Sequence, residues 1–67
     1  MITRGKRRDA LKKALQKSQN GEVTYVLISD NSILITQDEE VAKTYVHSHG
    51  YSIYAKCKDS RVAFSET

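Results

Sequence analysis

The sequence predicts an α+β domain with two helices packed on one face of a four-stranded, mainly antiparallel sheet. Two segments carry apolar residues at helical spacing, and four short segments have the composition or alternation of strands. Turn residues separate these segments in the order αββαββ. The chain has 67 residues, and a domain of this size buries only roughly 60 % of the surface of its unfolded chain. A single small core is therefore expected.

The N-terminal segment 1–8 lacks apolar periodicity and contains Gly5. We predict a flexible basic arm there, followed by one domain over residues 9–67. Asp9 is the expected N-cap of the first helix, because its carboxylate can accept from the exposed amides of the first turn and suits the positive end of the dipole. The helix is predicted over residues 10–19. Its apolar face is formed by Ala10, Leu11, Ala14, Leu15 and Ser18.

A β-hairpin is predicted next, with strands over 23–28 and 33–36 and a turn at 29–32. It is apolar on both faces, whereas a sheet with one wet face alternates apolar and polar residues. If both helices cover one face, the other face carries a contiguous apolar patch, which usually marks an interface. We therefore expect self-association as a homodimer, or an obligate partner. The expected interface residues are Val23, Tyr25, Leu27 and Leu34.

The second helix is predicted over residues 38–48 and ends before Gly50. Thr36 and Glu39 have capping-box spacing, and Asp38 is an alternative cap.

Two further strands are predicted over 51–58 and 62–65, joined by a turn. Placing Gly21 on Gly50, an offset of 50 − 21 = 29, aligns the strands of the two helix-strand-strand units, while the helices need a further shift of one. This pattern suggests a duplication, with chance similarity as the alternative. The expected core is Leu11, Ala14, Leu15, Val26, Ile28, Ile33, Ile35, Val41, Tyr45, Val46, Ile53, Ala55, Val62 and Phe64.

Positive charge is concentrated at the N-terminus. The formal net charge is +3, and seven of the eleven basic residues lie in the first seventeen, where Asp9 is the only acid. Such asymmetry is typical of a segment that contacts a polyanion, although a solvated tail that aids solubility has the same composition. Tyr54 and Lys56 could add base stacking and a phosphate contact. The predicted nucleic-acid contacts are Arg4, Lys6, Arg7, Arg8, Lys12, Lys13, Tyr54 and Lys56.

Catalytic and metal-binding chemistry is not expected. His47 and His49 are two residues apart on a helix, point in different directions and, together with Cys57, lack a fourth ligand. No nucleophile elbow or glycine-rich phosphate loop is present, and no cofactor is predicted. Cys57 is the single cysteine, which excludes a disulfide framework and fits a reducing, cytoplasmic compartment.

These observations favour a small, non-catalytic nucleic-acid-associated or regulatory protein that uses the basic arm and first helix. The alternative is a protein-binding module or inhibitor, of the kind that phage and mobile elements encode, acting through the open apolar sheet face. No apolar run is long enough to span a bilayer, and the basic N-terminus is not followed by the apolar stretch of a signal peptide.

Overall fold

The structure, a computed structural model, describes residues 4–19 and 21–64. The elements are α1 (Arg4–Lys17), β1 (Val23–Ile28), β2 (Ile33–Thr36), α2 (Glu39–Ser48), β3 (Ser52–Lys58) and β4 (Arg61–Phe64). The strands form one antiparallel sheet in the order β2-β1-β3-β4. The predicted α+β class, the αββαββ order and the four-stranded antiparallel sheet are therefore confirmed.

The first helix begins earlier than predicted. It starts at Arg4, so the expected arm is wrong over residues 4–8, and the rest of it lies outside the described residues. Asp9 is inside the helix and is not its N-cap. The Arg7 guanidinium carbon lies 5.9 Å from the centroid of the Tyr54 ring. Such tertiary contacts usually contribute more to helix formation than propensity does, and they offset the unfavourable position of cations near the positive end of the dipole.

Asp38 is the N-cap of α2. Its Oδ1 accepts from the backbone N–H groups of Glu40, at 2.9 Å, and Val41, at 3.4 Å. The Thr36 hydroxyl instead accepts from the N–H of Asp38, at 3.1 Å. The predicted start of the helix is thus correct to within one residue, and Asp38 is the correct one of the two alternative caps.

The two helices cover opposite faces of the sheet. Val26 and Leu27 are adjacent in β1, so their side chains point to opposite faces, and both are 0 % exposed. Val26 belongs to the core under α1, whereas Leu27 and the buried Ala42 of α2 lie outside that cluster. Both helices contact β1, β2 and β3 without approaching one another within the described residues. The expectation that both helices pack on one face is thereby corrected.

The core between α1 and the sheet contains small and medium side chains. Its buried members are Ala10, Ala14, Val26, Ala55 and Cys57, and the partly buried hydrophobic residues around them are Leu11, Leu15, Ile33, Ile35, Tyr54 and Val62. Phe64, which was predicted to be in the core, is 58 % exposed. It lies at the end of β4, the edge strand of the sheet.

A β-bulge changes the faces of β3. Val26 pairs with Ala55 and Leu27 pairs with Ile53, so Tyr54 is an extra residue in this strand. Cross-strand partners share a face, which places Ile53 on the α2 side with Leu27. Tyr54 packs on the α1 side. The expected core placed Ile53 on the same face as Ala55, because an unbroken period of two cannot represent a bulge.

Buried polar groups at the end of α1 have hydrogen-bond partners. The Ser18 hydroxyl donates to the Leu15 carbonyl, at 3.1 Å. The Gln37 side-chain amide donates to the Thr24 hydroxyl, at 3.3 Å, and to the Lys17 carbonyl, at 3.1 Å. Gln37, which follows β2, therefore ties the C-terminal end of α1 to the first strand.

The chain crosses the sheet once by a helix. β2 and β3 both run antiparallel to β1 and are therefore parallel to each other, with α2 connecting them. A duplication would relate the two helix-strand-strand units by a twofold axis. An axis that relates antiparallel neighbours such as β1 and β3 is perpendicular to the sheet, and rotation about it keeps every residue on the same face of the sheet. Helices on opposite faces do not obey such an axis, so the suggested duplication is not reflected in the positions of α1 and α2.

None of the helices in the described residues is long and apolar enough to cross a membrane.

Candidate nucleic-acid interface

The outer surface of α1 is strongly basic. Ala10, Ala14 and Ser18, at intervals of four, are buried against the sheet, so the opposite side of the helix faces outward. Asp9 is the one acidic residue of this helix. The exposed cations of α1 are Lys6, Arg8, Lys12, Lys13 and Lys17. The side chain of Arg4, another predicted contact, lies outside the described part of the chain.

An aromatic pair continues this basic surface to the edge of the sheet. Besides contacting Arg7, Tyr54 meets the ring of Phe64 edge-on, with the ring centroids 5.5 Å apart. Arg7, Arg8, Leu11 and Tyr54 line an open groove of about 270 Å³ between α1 and β3. Tyr54 therefore links Arg7 and Arg8 to the exposed ring of Phe64. Lys6 and Lys13 instead line a groove against Ile33 and Ile35 of β2, at the other edge of the sheet.

The predicted contact residues do not form one surface. Tyr54 joins the α1 side through the bulge, whereas Lys56 is on the α2 side, where its Nζ lies 5.9 Å from the centroid of the Tyr25 ring. A shared stacking platform of Tyr25 and Tyr54 is excluded by this arrangement, since the sheet separates the two rings. Phe64 was missed as a surface residue because its alternation with Val62 indicated an inward side chain.

The predicted apolar interface is wrong in its central residue. Leu27 is fully buried within the single chain, and Val23, Tyr25 and Leu34 are half-buried. The hairpin is apolar on both faces, and helix α2 covers the face that α1 leaves open. Self-association stays a prediction, but these four residues do not provide the open apolar face proposed for it, and the protein-binding alternative loses the same surface.

The residues considered for metal or nucleophilic chemistry are not brought together. His47 and His49 are exposed, while Cys57 is buried under α1. The His49 ring packs against Tyr45, with the centroids 4.7 Å apart. Among the described residues, no group of three or more His, Cys, Asp or Glu could hold a metal ion.

Burial raises the pKa of the Cys57 thiol above its ordinary value of 9.0. The folded protein therefore keeps a proton that the unfolded chain loses, so this group's contribution is complete below pH 9.0 and decreases as the pH rises above it. We expect the unfolding free energy of the native protein to fall relative to that of Cys57→Ala across this range. Urea denaturation of both proteins at neutral and alkaline pH measures this difference, and a difference that does not change with pH would contradict the prediction.

A scan against models of protein families, a search of curated proteins and a search of solved structures found no match to this chain.

Proposed function

We propose that this protein is a non-catalytic nucleic-acid-binding protein that contacts the phosphate backbone through the exposed cations of α1. Its preferred ligand is single-stranded, with an unpaired base stacked on Phe64. The single buried thiol supports a cytoplasmic location, because reducing compartments keep such groups unoxidised.

The observation that carries this proposal is that Tyr54 links two of the α1 cations, Arg7 and Arg8, to the exposed Phe64 ring. Cations alone give affinity for any polyanion, and an exposed aromatic ring alone also fits a protein partner. Side by side, they match the two chemical groups of a single strand, its phosphates and its unstacked bases. The exposed face of α1 lacks an arrangement of Asn, Gln and Arg that would read base edges in a groove, so binding without sequence specificity is proposed.

Neutralising three cations tests the backbone contact. Arg8, Lys12 and Lys13 are exposed, so the triple alanine variant should fold. The logarithm of the affinity falls as the logarithm of the salt concentration rises. For a single strand, each phosphate contact removed makes this fall less steep by about 0.7, so removing all three should reduce the magnitude of the slope by about 2. Fluorescence anisotropy with labelled oligo(dT) and with a duplex, at low and moderate salt, measures the slope.

Lys43→Ala is the matched control, because Lys43 is an exposed cation on α2 paired with Glu39 at 3.6 Å. It should leave both affinity and slope unchanged. Absence of binding to either oligonucleotide at low salt, or a triple variant with the native slope, would overturn the proposed function.

A further inference from the structure

A second group of cations lies on the reverse side of the sheet. Lys56, Lys58 and Arg61 are exposed and line a groove of about 710 Å³ over the β3–β4 hairpin, together with Asp59, Val62 and Ala63. The helix α2 contacts β1, β2 and β3, but within the described residues it does not reach β4. This part of the α2 face is therefore left open to a ligand.

The charges in this groove are arranged unfavourably for the isolated protein. Lys58 and Arg61 are direct cross-strand partners, and like charges in that position destabilise a sheet. Lys56 lies on the same face, two residues along β3. In the described part of the chain, no ion pair involves any of these three cations. Among the described residues, Asp59 is the one acidic residue that lines the groove.

Protection of a sheet edge does not account for the cluster. Lysines commonly occur on edge strands, where they prevent pairing with another chain. Here, both lysines are on β3, an internal strand, and only Arg61 is on the edge. Cross-strand repulsion would be relieved by an anion bound between the strands, which points to a ligand with several negative charges.

We propose that Lys56, Lys58 and Arg61 form a second phosphate-backbone site. This inference rests on the proposed function, because the α1 surface is the first site. The two sites lie on opposite faces of one sheet, in a molecule whose smallest dimension is 18 Å. A single copy of the protein can therefore hold two nucleic-acid segments at once, so the protein bridges strands as well as binding them.

A capture assay tests the bridge. Oligo(dT) on beads is incubated with a limiting amount of protein and a fluorescent second oligo(dT), and retained fluorescence is measured. The native protein should retain the second oligonucleotide. The variant Lys56→Ala/Lys58→Ala/Arg61→Ala should still bind the beads through α1 while its captured fluorescence falls to background.

The controls separate this inference from the function on which it rests. Lys43→Ala should capture as the native protein does. The triple variant should be at least as stable as the native protein in thermal unfolding, because all three side chains are exposed and their removal relieves the repulsion between Lys58 and Arg61. If the native protein binds oligo(dT) without capturing a second one, or if the variant captures normally because two copies associate, the second site is wrong while the α1 site stands. If the native protein binds neither oligonucleotide, the proposed function itself fails.

Discussion

Replacing Leu27 with alanine is expected to destabilise the protein more than any other single truncation in the hairpin. Leu27 is fully buried between the sheet and α2, and deleting a leucine side chain at such a site costs about 2–5 kcal/mol. The net stability of a small domain is of the order of 5 kcal/mol. The variant should therefore be largely unfolded under conditions in which the native protein is folded, as measured by circular dichroism during urea or thermal denaturation.

Two matched variants make this expectation specific. Leu27→Met conserves volume and should remain folded, with a loss below about 1.5 kcal/mol. Leu34→Ala removes the same group from the directly paired residue of β2, which is only half-buried, and should cost less than Leu27→Ala. Equal losses for the two alanine variants would show that Leu27 is not enclosed by α2.

Replacing Phe64 with alanine is expected to weaken single-strand binding while leaving the fold intact. Stacking of a base on an aromatic side chain is worth about 1–3 kcal/mol, which corresponds to a loss of affinity of roughly 5- to 150-fold. The ring is 58 % exposed, so its removal leaves little new cavity. Anisotropy titration with oligo(dT) gives the binding loss, and thermal unfolding gives the stability of the same variant.

Phe64→Tyr keeps the ring and should restore nearly native single-strand affinity. Binding to a duplex, which offers phosphates but no unstacked base, should be nearly the same for all three proteins. If Phe64→Ala binds oligo(dT) like the native protein while Arg8→Ala/Lys12→Ala/Lys13→Ala does not, then α1 contacts the backbone but Phe64 does not stack on a base. The exposed ring would then be better explained by a protein partner at the sheet edge.

Local signals were sufficient to predict most of the elements. The bounds of β1 and β2 match because two apolar runs flank the polar turn at residues 29–32. The predicted start of α2 is correct to within one residue, since Asp38 provides a side-chain acceptor just before the helical pattern. The start of α1 was missed because the contact between Arg7 and Tyr54 joins residues distant in sequence, and no local rule includes it.

The faces of the sheet were harder to predict. The two-sided apolar character of β1 correctly indicated that both faces are covered, but it does not indicate whether a helix of the same chain or a second molecule covers the second face. The bulge at Tyr54 has no signal in the sequence either, because the residues from Ser52 to Lys58 alternate without interruption.

The candidate site was predicted in part. The clustering of the α1 cations is visible in the sequence, and their role as nucleic-acid contacts stays a prediction. Their continuity with Phe64, and the separation of Tyr54 from Lys56, depend on the bulge and on the edge position of β4. These are properties of strand pairing, which composition and spacing do not determine.

The crossover through α2 has a consequence for how the chain reaches its native state. The hairpin of β1 and β2 closes over a short turn, whereas the ladder between β1 and β3 joins segments that are separated by β2 and the whole of α2. Closing such a long loop costs chain entropy before any native contact compensates for it, and non-local pairing of this kind slows folding. The docking of β3 onto the preformed hairpin is accordingly the step expected to limit the folding rate.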